Sequence, residues 1–322
     1  MRSLRWVGLL ALYVGAQTVG LALAEPFRSA GLASTSNPQS VTTPLAFIAI
    51  IVIAPIFILF FSRRRGGLSA LRQLILLAIA GSLYFTLYAT LLLVFPNYYL
   101  LPPYAAEIVV DPALILAATI SASIYLALLM DPQWYIVDLA GFLAAGALIA
   151  ILGISFAILP AFILLGALMV YDAIAVYGTK HMVSLADVVT DMKLPILMVM
   201  PDSAGYDYTA APTLAEQRSR PVEERGALFM GLGDIVIPGT LVASAFVWLP
   251  ASPSWGGIGG DLWVAVGTLL GSLVGYAILM RLVLRGNPQA GLPLLNGGAM
   301  IGYAMTYVLV FHSFTLGFTG AL

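Results

Sequence analysis

Two aspartates inside apolar runs are the residues of this chain best suited to chemistry. Asp172 follows the apolar run from Phe156 to Val170, and Asp234 lies in a run that continues to Leu249. A carboxylate within a membrane-length apolar segment is expensive to bury, and such residues usually face protein or water and serve a function. Asp172 and Asp234 are therefore the first candidates for a site.

The two aspartates are predicted to lie at the same depth. Asp172 comes eight residues before Lys180, and Asp234 comes nine residues after Arg225. With a helical rise of about 1.5 Å per residue, each would lie roughly 12–14 Å from the polar segment between them. Because their helices flank the same loop and run antiparallel, the two carboxyl groups can face each other. The alternative is two unrelated polar positions, each hydrogen-bonded to backbone.

A facing pair of carboxyl groups has a definite chemistry. Two such groups a few ångströms apart cannot both ionise, so they share a proton. The ionised member takes a proton from water, and the neutral member protonates the carbonyl oxygen or leaving nitrogen of a peptide bond. A second hypothesis is a proton-coupled transporter, because paired intramembrane acids also form proton relays. The sequence shows no inverted repeat, which weighs against a transporter.

Small and aromatic residues accompany the aspartates. Gly231 and Gly233, on either side of Leu232, remove side chains just before the second aspartate, which permits close approach of a helix or a substrate backbone. Tyr171 can offer a hydroxyl beside the first aspartate. The structural alternatives are ordinary small-residue helix packing and ordinary aromatic packing.

A third motif opens the last apolar run. Pro293-Leu294-Leu295 is flanked by glycine, and proline both lacks an N–H and disfavours helix in the residue before it. Non-helical backbone at membrane depth is tolerated where it lines a cavity. The motif therefore predicts non-helical backbone that contacts an extended peptide, with a simple helix-start proline as the alternative.

Composition places these residues in a membrane protein. The 322-residue chain is 61% hydrophobic and 9% charged, against about 45–50% apolar and about 25% charged in soluble domains. A net charge of −1 leaves no basic surface for nucleic acid. The chain has no Cys and two His, so neither a zinc site nor thiolate chemistry is expected, and no cofactor is predicted.

The predicted fold is an all-α polytopic membrane protein with nine transmembrane helices. Each run reaches about the 20 residues that a spanning helix needs. The runs are approximately Leu4–Leu23, Pro44–Phe61, Leu74–Phe95, Pro112–Met130, Trp134–Leu152, Ser155–Tyr177, Ala227–Leu249, Leu262–Leu284 and Leu294–Leu316. The first also resembles a secretory signal peptide, but its apolar part is long for one, so a retained helix is expected.

Basic residues predict the orientation. A cytoplasmic N-terminus places 13 of the 14 Lys and Arg residues on the cytoplasmic side, with Arg28 as the exception. Basic residues favour that side, so the C-terminus is predicted to lie outside. We read residues 1–322 as a single transmembrane domain, with helices one to six in 1–177, a cytosolic loop in 178–226 and helices seven to nine in 227–322.

The cytosolic loop carries 12 of the 29 charged residues. Apolar residues between Val183 and Met192 recur at helical spacing, which predicts a short interfacial helix. Ile196–Met200, bounded by prolines, predicts a strand. Asp138 is predicted to lie at the interface, where the start of the fifth helix favours an anion.

The ordered set of motifs resembles one family. Tyr-Asp at Tyr171-Asp172, Gly-Leu-Gly-Asp ending at Asp234 and Pro-Leu-Leu at Pro293, in nine spans, are similar to the presenilin and signal peptide peptidase family, and closest to an archaeal presenilin homologue. Leu294 stands where the family has Ala. The resemblance implies that the two aspartates are catalytic and that Pro293-Leu294-Leu295 contacts substrate. A prepilin-type peptidase also uses a GxGD-like motif, but its aspartates are expected near cytosolic loops.

The resulting hypothesis is an intramembrane aspartic endopeptidase. It would hydrolyse peptide bonds of single-span transmembrane proteins or peptides within the lipid bilayer, as a multi-pass protein of the cell membrane. The sequence leaves open whether the chain forms a homo-oligomer. It also leaves open whether the loop between helices six and seven is cleaved.

Overall fold

The computed structural model describes residues 2–62, 66–95, 99–100, 109–179, 181–203, 205–212, 216–217, 224–285 and 289–318. Most of these residues are helical. The helices are α1 (Arg2–Ser29), α2 (Thr42–Ser62), α3 (Gly67–Val94), α4 (Pro112–Met130), α5 (Trp134–Ser155), α6 (Ile158–Ala173), α7 (His181–Asp191), α8 (Leu232–Trp248), α9 (Gly260–Val283) and α10 (Leu292–Phe311).

Short antiparallel strand pairs lie between some of the helices. The strand pairs are β1 (Tyr99–Leu100) with β2 (Val109–Val110), β3 (Leu197–Pro201) with β4 (Ala227–Gly231), and β5 (Ser254–Trp255) with β6 (Ile258–Gly259). Among the described residues, the β3–β4 pair is the longest, with five residues in each strand.

Eight helices in the described part of the chain are long and apolar enough to cross a membrane. They are α1 to α6, α9 and α10, with the span of α6 running on to Gly178. The remaining predicted span corresponds to α8, an apolar helix of 17 residues. Multiple membrane-spanning helices are thus confirmed, whereas the ninth crossing and the orientation of the termini stay predictions.

The segment before α8 is the main departure from the predicted elements. We predicted helix from Ala227, but Ala227–Gly231 is strand β4, and the helix begins at Leu232. The physical reason is pairing with β3, since hydrogen bonds to a second strand satisfy the backbone groups that a helix would otherwise pair internally. An apolar run alone does not distinguish these two outcomes.

Small residues in the interior allow pairs of helices to approach each other closely. A Cβ at Gly153 of α5 would lie 3.1 Å from the Ala243 carbonyl carbon of α8, and a Cβ at Gly20 of α1 would lie 2.6 Å from the Ile149 Cβ of α5. Without a hydrophobic driving force between helices in lipid, such close packing is a principal source of association. Helices α1, α5 and α8 therefore form the centre of the bundle.

Helices α9 and α10 make an equally close pair. A Cβ at Gly271 of α9 would lie 2.8 Å from the Gly302 Cα of α10, and one at Gly275 would lie 2.8 Å from the carbonyl carbon of Leu294. This contact holds the first turn of α10 against α9. The segment that carries the proline motif is therefore fixed from one side by helix packing.

The polar segment between α6 and α8 contains the predicted short helix and strand. Helix α7 covers the predicted interfacial helix, and β3 covers the predicted strand with a shift of one residue. Arg5 of α1 ties this segment to the bundle through an ion pair with Asp202 and a 2.9 Å hydrogen bond to the Arg225 carbonyl oxygen. The β3–β4 hairpin is thereby held next to the start of α1.

Candidate active site

Asp172 is positioned by the last turn of α6. Its side chain is buried, and its Oδ2 accepts a 3.1 Å hydrogen bond from the backbone N–H of Leu292. Immediately after α6, residues Ile174–Gly178 form a π-helical turn. Single π turns inside α-helices occur frequently at functional sites.

Asp234 is positioned by the first turn of α8, directly after β4. Gly231 has extended backbone angles (φ −64°, ψ 138°), which turn the strand into the helix. A Cβ at Gly231 would lie 3.3 Å from Asp234 Oδ2, and a Cβ at Gly291 would lie 2.8 Å from Asp234 Oδ1. The carboxyl group thus sits against two glycines, where a side chain would crowd it.

Both carboxyl groups meet at one short piece of backbone. Asp172 accepts from Leu292, and Asp234 lies against the preceding residue, Gly291. The backbone that leads to Asp234 differs from the predicted backbone. The five residues of β4 form a strand, with a rise of about 3.3 Å per residue, where we predicted a helix with a rise of about 1.5 Å per residue.

The remaining predicted residues around the aspartates lie in different environments. Tyr171 is half-buried and packs against the main hydrophobic cluster. Leu232 is half-buried, and its N–H donates to the Ile196 carbonyl oxygen at 2.8 Å, which extends the hairpin into the start of α8. Gly233 is exposed, and a Cβ there would meet nothing within 4 Å.

The proline motif is helical, and the prediction of non-helical backbone there is wrong. Pro293, Leu294 and Leu295 lie in the first turn of α10, where the N–H groups of Leu294 and Leu295 donate to the Gly291 carbonyl oxygen at 3.2 and 3.1 Å. A proline is compatible with this turn because its missing N–H would have no partner within the helix. Leu295 is fully buried, whereas the other two are half-buried.

Two further polar residues of this region make contacts that the sequence did not predict. Asp138 is buried within the protein, and its Oδ1 accepts a 2.7 Å hydrogen bond from the N–H of Val199 in β3; its predicted place at the membrane interface stays a prediction. The hydroxyl of Tyr177, on the π turn, accepts from the Ala290 N–H at 3.1 Å and donates to Gln289 Oε1 at 3.0 Å. For Asp138, the signal in the sequence was an aspartate inside an apolar run. For Tyr177, no signal in the sequence distinguished it.

In the part of the chain that the structure describes, no three His, Cys, Asp or Glu side chains are grouped so as to hold a metal ion.

Comparison with known families assigns the class of this protein, whose candidate aspartates lie on the apolar helices α6 and α8. The family model for signal-peptide peptidase and presenilin aspartyl protease matches residues 10–312. The chain belongs to this family, and it is an aspartic endopeptidase.

Solved structures agree with this assignment. One structure of a presenilin family intramembrane aspartate protease, in space group C222, is 28% identical with a TM-score of 0.65, and the match covers 94% of this chain and 99% of the other. A second, in space group P2, is 32% identical with a TM-score of 0.60 and covers 94% and 97%. No curated protein matches the chain.

Proposed function

We propose that Asp172 and Asp234 are the catalytic pair that hydrolyses peptide bonds within transmembrane substrates. The observation that carries this proposal is their convergence, from α6 and α8, on the backbone of Gly291 and Leu292. Of the two, one acts as the base that takes a proton from water. The other donates a proton to the carbonyl oxygen or leaving nitrogen of the peptide bond.

The contacts of the pair leave the two roles interchangeable. The Leu292 N–H donates to Asp172 Oδ2. Either carboxyl group can act as the base, provided that the other is protonated and acts as the acid.

The substrate must present extended backbone to this pair. A transmembrane helix hides its peptide groups in internal hydrogen bonds, so the scissile region has to unwind before water can attack. Its freed N–H and C=O groups then need partners, since unpaired polar groups in an apolar site are costly. Addition of the substrate as a strand to a sheet edge supplies such partners.

The β3–β4 hairpin is the candidate edge, and its two sides differ. The outer side of β3 is partly closed, because the Val199 N–H is bonded to Asp138 and Pro201 has no N–H. Strand β4 runs through Phe229 and Gly231 directly toward Asp234. We propose that substrate adds along β4, with Pro293 and Leu294 contacting it from the start of α10.

The membrane arrangement completes the proposal. We place the N-terminus in the cytoplasm, the C-terminus outside and nine crossings in the cell membrane, with α8 as the seventh. Residues 1–322 act as one transmembrane domain. The transporter alternative is not favoured, because the family and its solved relatives are aspartate proteases.

The test is cleavage of a transmembrane peptide by the purified protein in detergent. Asp172→Asn and Asp234→Asn should each abolish cleavage while leaving the thermal unfolding midpoint close to that of the parent. The matched control is Asp131→Asn, which makes the same change at an exposed carboxylate and should retain activity. Retained cleavage in either dyad variant would remove the assignment. Proton-linked solute uptake by vesicles without a cleavage product would instead support the transporter.

A further inference from the structure

Asp138 is a buried carboxylate that the proposed chemistry does not use. It lies one turn into α5, and its side chain is 5% exposed. Its Oδ1 accepts the Val199 N–H at 2.7 Å, and its Oδ2 has no hydrogen-bond partner among the described residues. Burial of a carboxyl group is costly when its hydrogen bonds are only partly satisfied. A group in this position therefore requires an explanation.

Capping of α5 does not provide that explanation. The N-cap of α5 is Gln133, five residues before Asp138. The orphan N–H groups of a helix belong to its first four residues, and the hydrogen bond that Asp138 makes goes to another element. Its contact thus serves the hairpin and not the start of its own helix.

The direction of the Val199 N–H explains why β3 needs a partner on this side. In an antiparallel pair, alternate residues direct their backbone groups toward the other strand. The Leu232 N–H donates to the Ile196 carbonyl oxygen, and the Asp202 N–H donates to the Gly226 carbonyl oxygen. The even-numbered residues of β3 therefore pair with β4, and Val199 points away from it. Asp138 occupies that outward donor.

Close packing allows a single hydrogen bond to hold the strand in place. A Cβ at Gly141, one turn further along α5, would lie 3.4 Å from both the Pro195 carbonyl oxygen and the Met198 Sδ. Strand β3 thus rests directly on α5, with Asp138 as the polar contact between them. A bond from N–H to a carboxylate is stronger than one to a neutral acceptor.

A short path through the strand pair leads from this contact to Asp234. Val199 pairs with Phe229 of β4, and Phe229 is five residues from Asp234. We propose that Asp138 is a positioning residue, which anchors β3 to α5 and thereby sets both the place of Asp234 and the register in which substrate lies along β4. This inference rests on the proposed function.

Loss of the hydrogen bond between Asp138 and Val199 should have two consequences that a general loss of stability would not have. A hairpin that can shift along α5 would present Asp234 and β4 in several positions relative to Asp172. The rate constant of cleavage should fall, and the peptide should be cut at a broader set of bonds. Lost stability alone would reduce the amount of active protein without changing which bonds are cut.

The experiment compares four variants with the parent on one transmembrane peptide, using initial rates for kcat and KM and mass spectrometry for the cut sites. Asp138→Leu keeps the size but removes the acceptor, and Asp138→Asn keeps an acceptor oxygen. Val199→Pro removes the donor instead, and an outward-facing proline already occurs in β3 at Pro201. Ser121→Ala is the control, because it removes a buried hydrogen bond to the Ala80 carbonyl oxygen away from the hairpin.

We expect Asp138→Leu and Val199→Pro to broaden the cut sites and to lower kcat by about tenfold, which is less than the roughly 100-fold that a misplacement of about 1 Å can cost. Asp138→Asn should restore the parental cut sites, and Ser121→Ala should leave them unchanged. If Asp138→Leu does not fold, Val199→Pro decides the question. Parental rates and cut sites in the variant that folds overturn the proposal, as does an equal broadening in Asp138→Asn. Failure of the proposed function is distinct, since the parent itself would then not cleave the peptide.

Discussion

Replacement of Gly291 by alanine tests the geometry of the proposed site with a single methyl group. The new Cβ would lie 2.8 Å from Asp234 Oδ1, 2.9 Å from its Cγ and 3.0 Å from its Oδ2. Ordinary van der Waals contact begins near 3.4 Å. The Asp234 carboxyl group must therefore retreat by about 0.6 Å, which is the difference between 3.4 and 2.8 Å.

The magnitude follows from this displacement. A misplacement of about 1 Å at a reacting group can cost about 100-fold in rate, so about 0.6 Å should reduce kcat by roughly 10- to 50-fold. Gly291 has φ −77° and ψ −47°, in the right-handed helical region. Alanine adopts these angles without strain, so the loss would come from the contact with Asp234 and not from the backbone.

The assay is the initial rate of cleavage of a transmembrane peptide by purified protein, with the thermal unfolding midpoint measured in parallel. Gly297→Ala is the matched control, because it makes the same change on α10, where the nearest atom to the new Cβ is Met169 Sδ at 4.0 Å. It should keep full activity. If Gly291→Ala cleaves as fast as Gly297→Ala, the Asp234 carboxyl group does not lie beside Gly291 in the active enzyme, and the site described above is incorrect.

Three further predictions concern the surroundings of the pair. Tyr177→Phe removes both hydrogen bonds to the segment before α10; we expect about a fivefold loss of kcat, from a net hydrogen-bond contribution of about 1 kcal/mol, and an unchanged rate would contradict this positioning role. Activity should depend on pH as a bell, because one carboxyl group must be charged and the other neutral, so a rate that stays flat through both limbs would argue against a dyad. Cysteines placed at Ser203 and Phe314 of this cysteine-free chain should react with an impermeant reagent from opposite faces of the membrane, whereas labelling from one face would exclude nine crossings.

The apolar runs and the two aspartates could be interpreted from the chain alone. A run of membrane length has few structural options, because its backbone must pair internally in lipid. The eight long helices overlap the predicted runs, with ends that differ by up to seven residues. A carboxylate in such a run is conspicuous for the same reason, so Asp172 and Asp234 were identifiable without coordinates. The ordered motifs around them were sufficient to identify the family.

Other features depended on partners that are distant in sequence. Ala227–Gly231 is apolar enough for helix or strand, and only its pairing with Leu197–Pro201 decides for strand. Pro293 can interrupt a helix or start one, and the start is selected here by the packing of Leu294 on Gly275 of α9.

Asp138 illustrates the same limit for a polar residue. Its place near the start of α5 predicts an interfacial anion, yet β3 covers it and supplies the Val199 N–H. Local patterns determine which segments leave water, because that choice depends on composition within about 20 residues. Which backbone groups meet which carboxylates is decided by contacts between segments far apart in the chain, and those contacts exist only in the folded bundle.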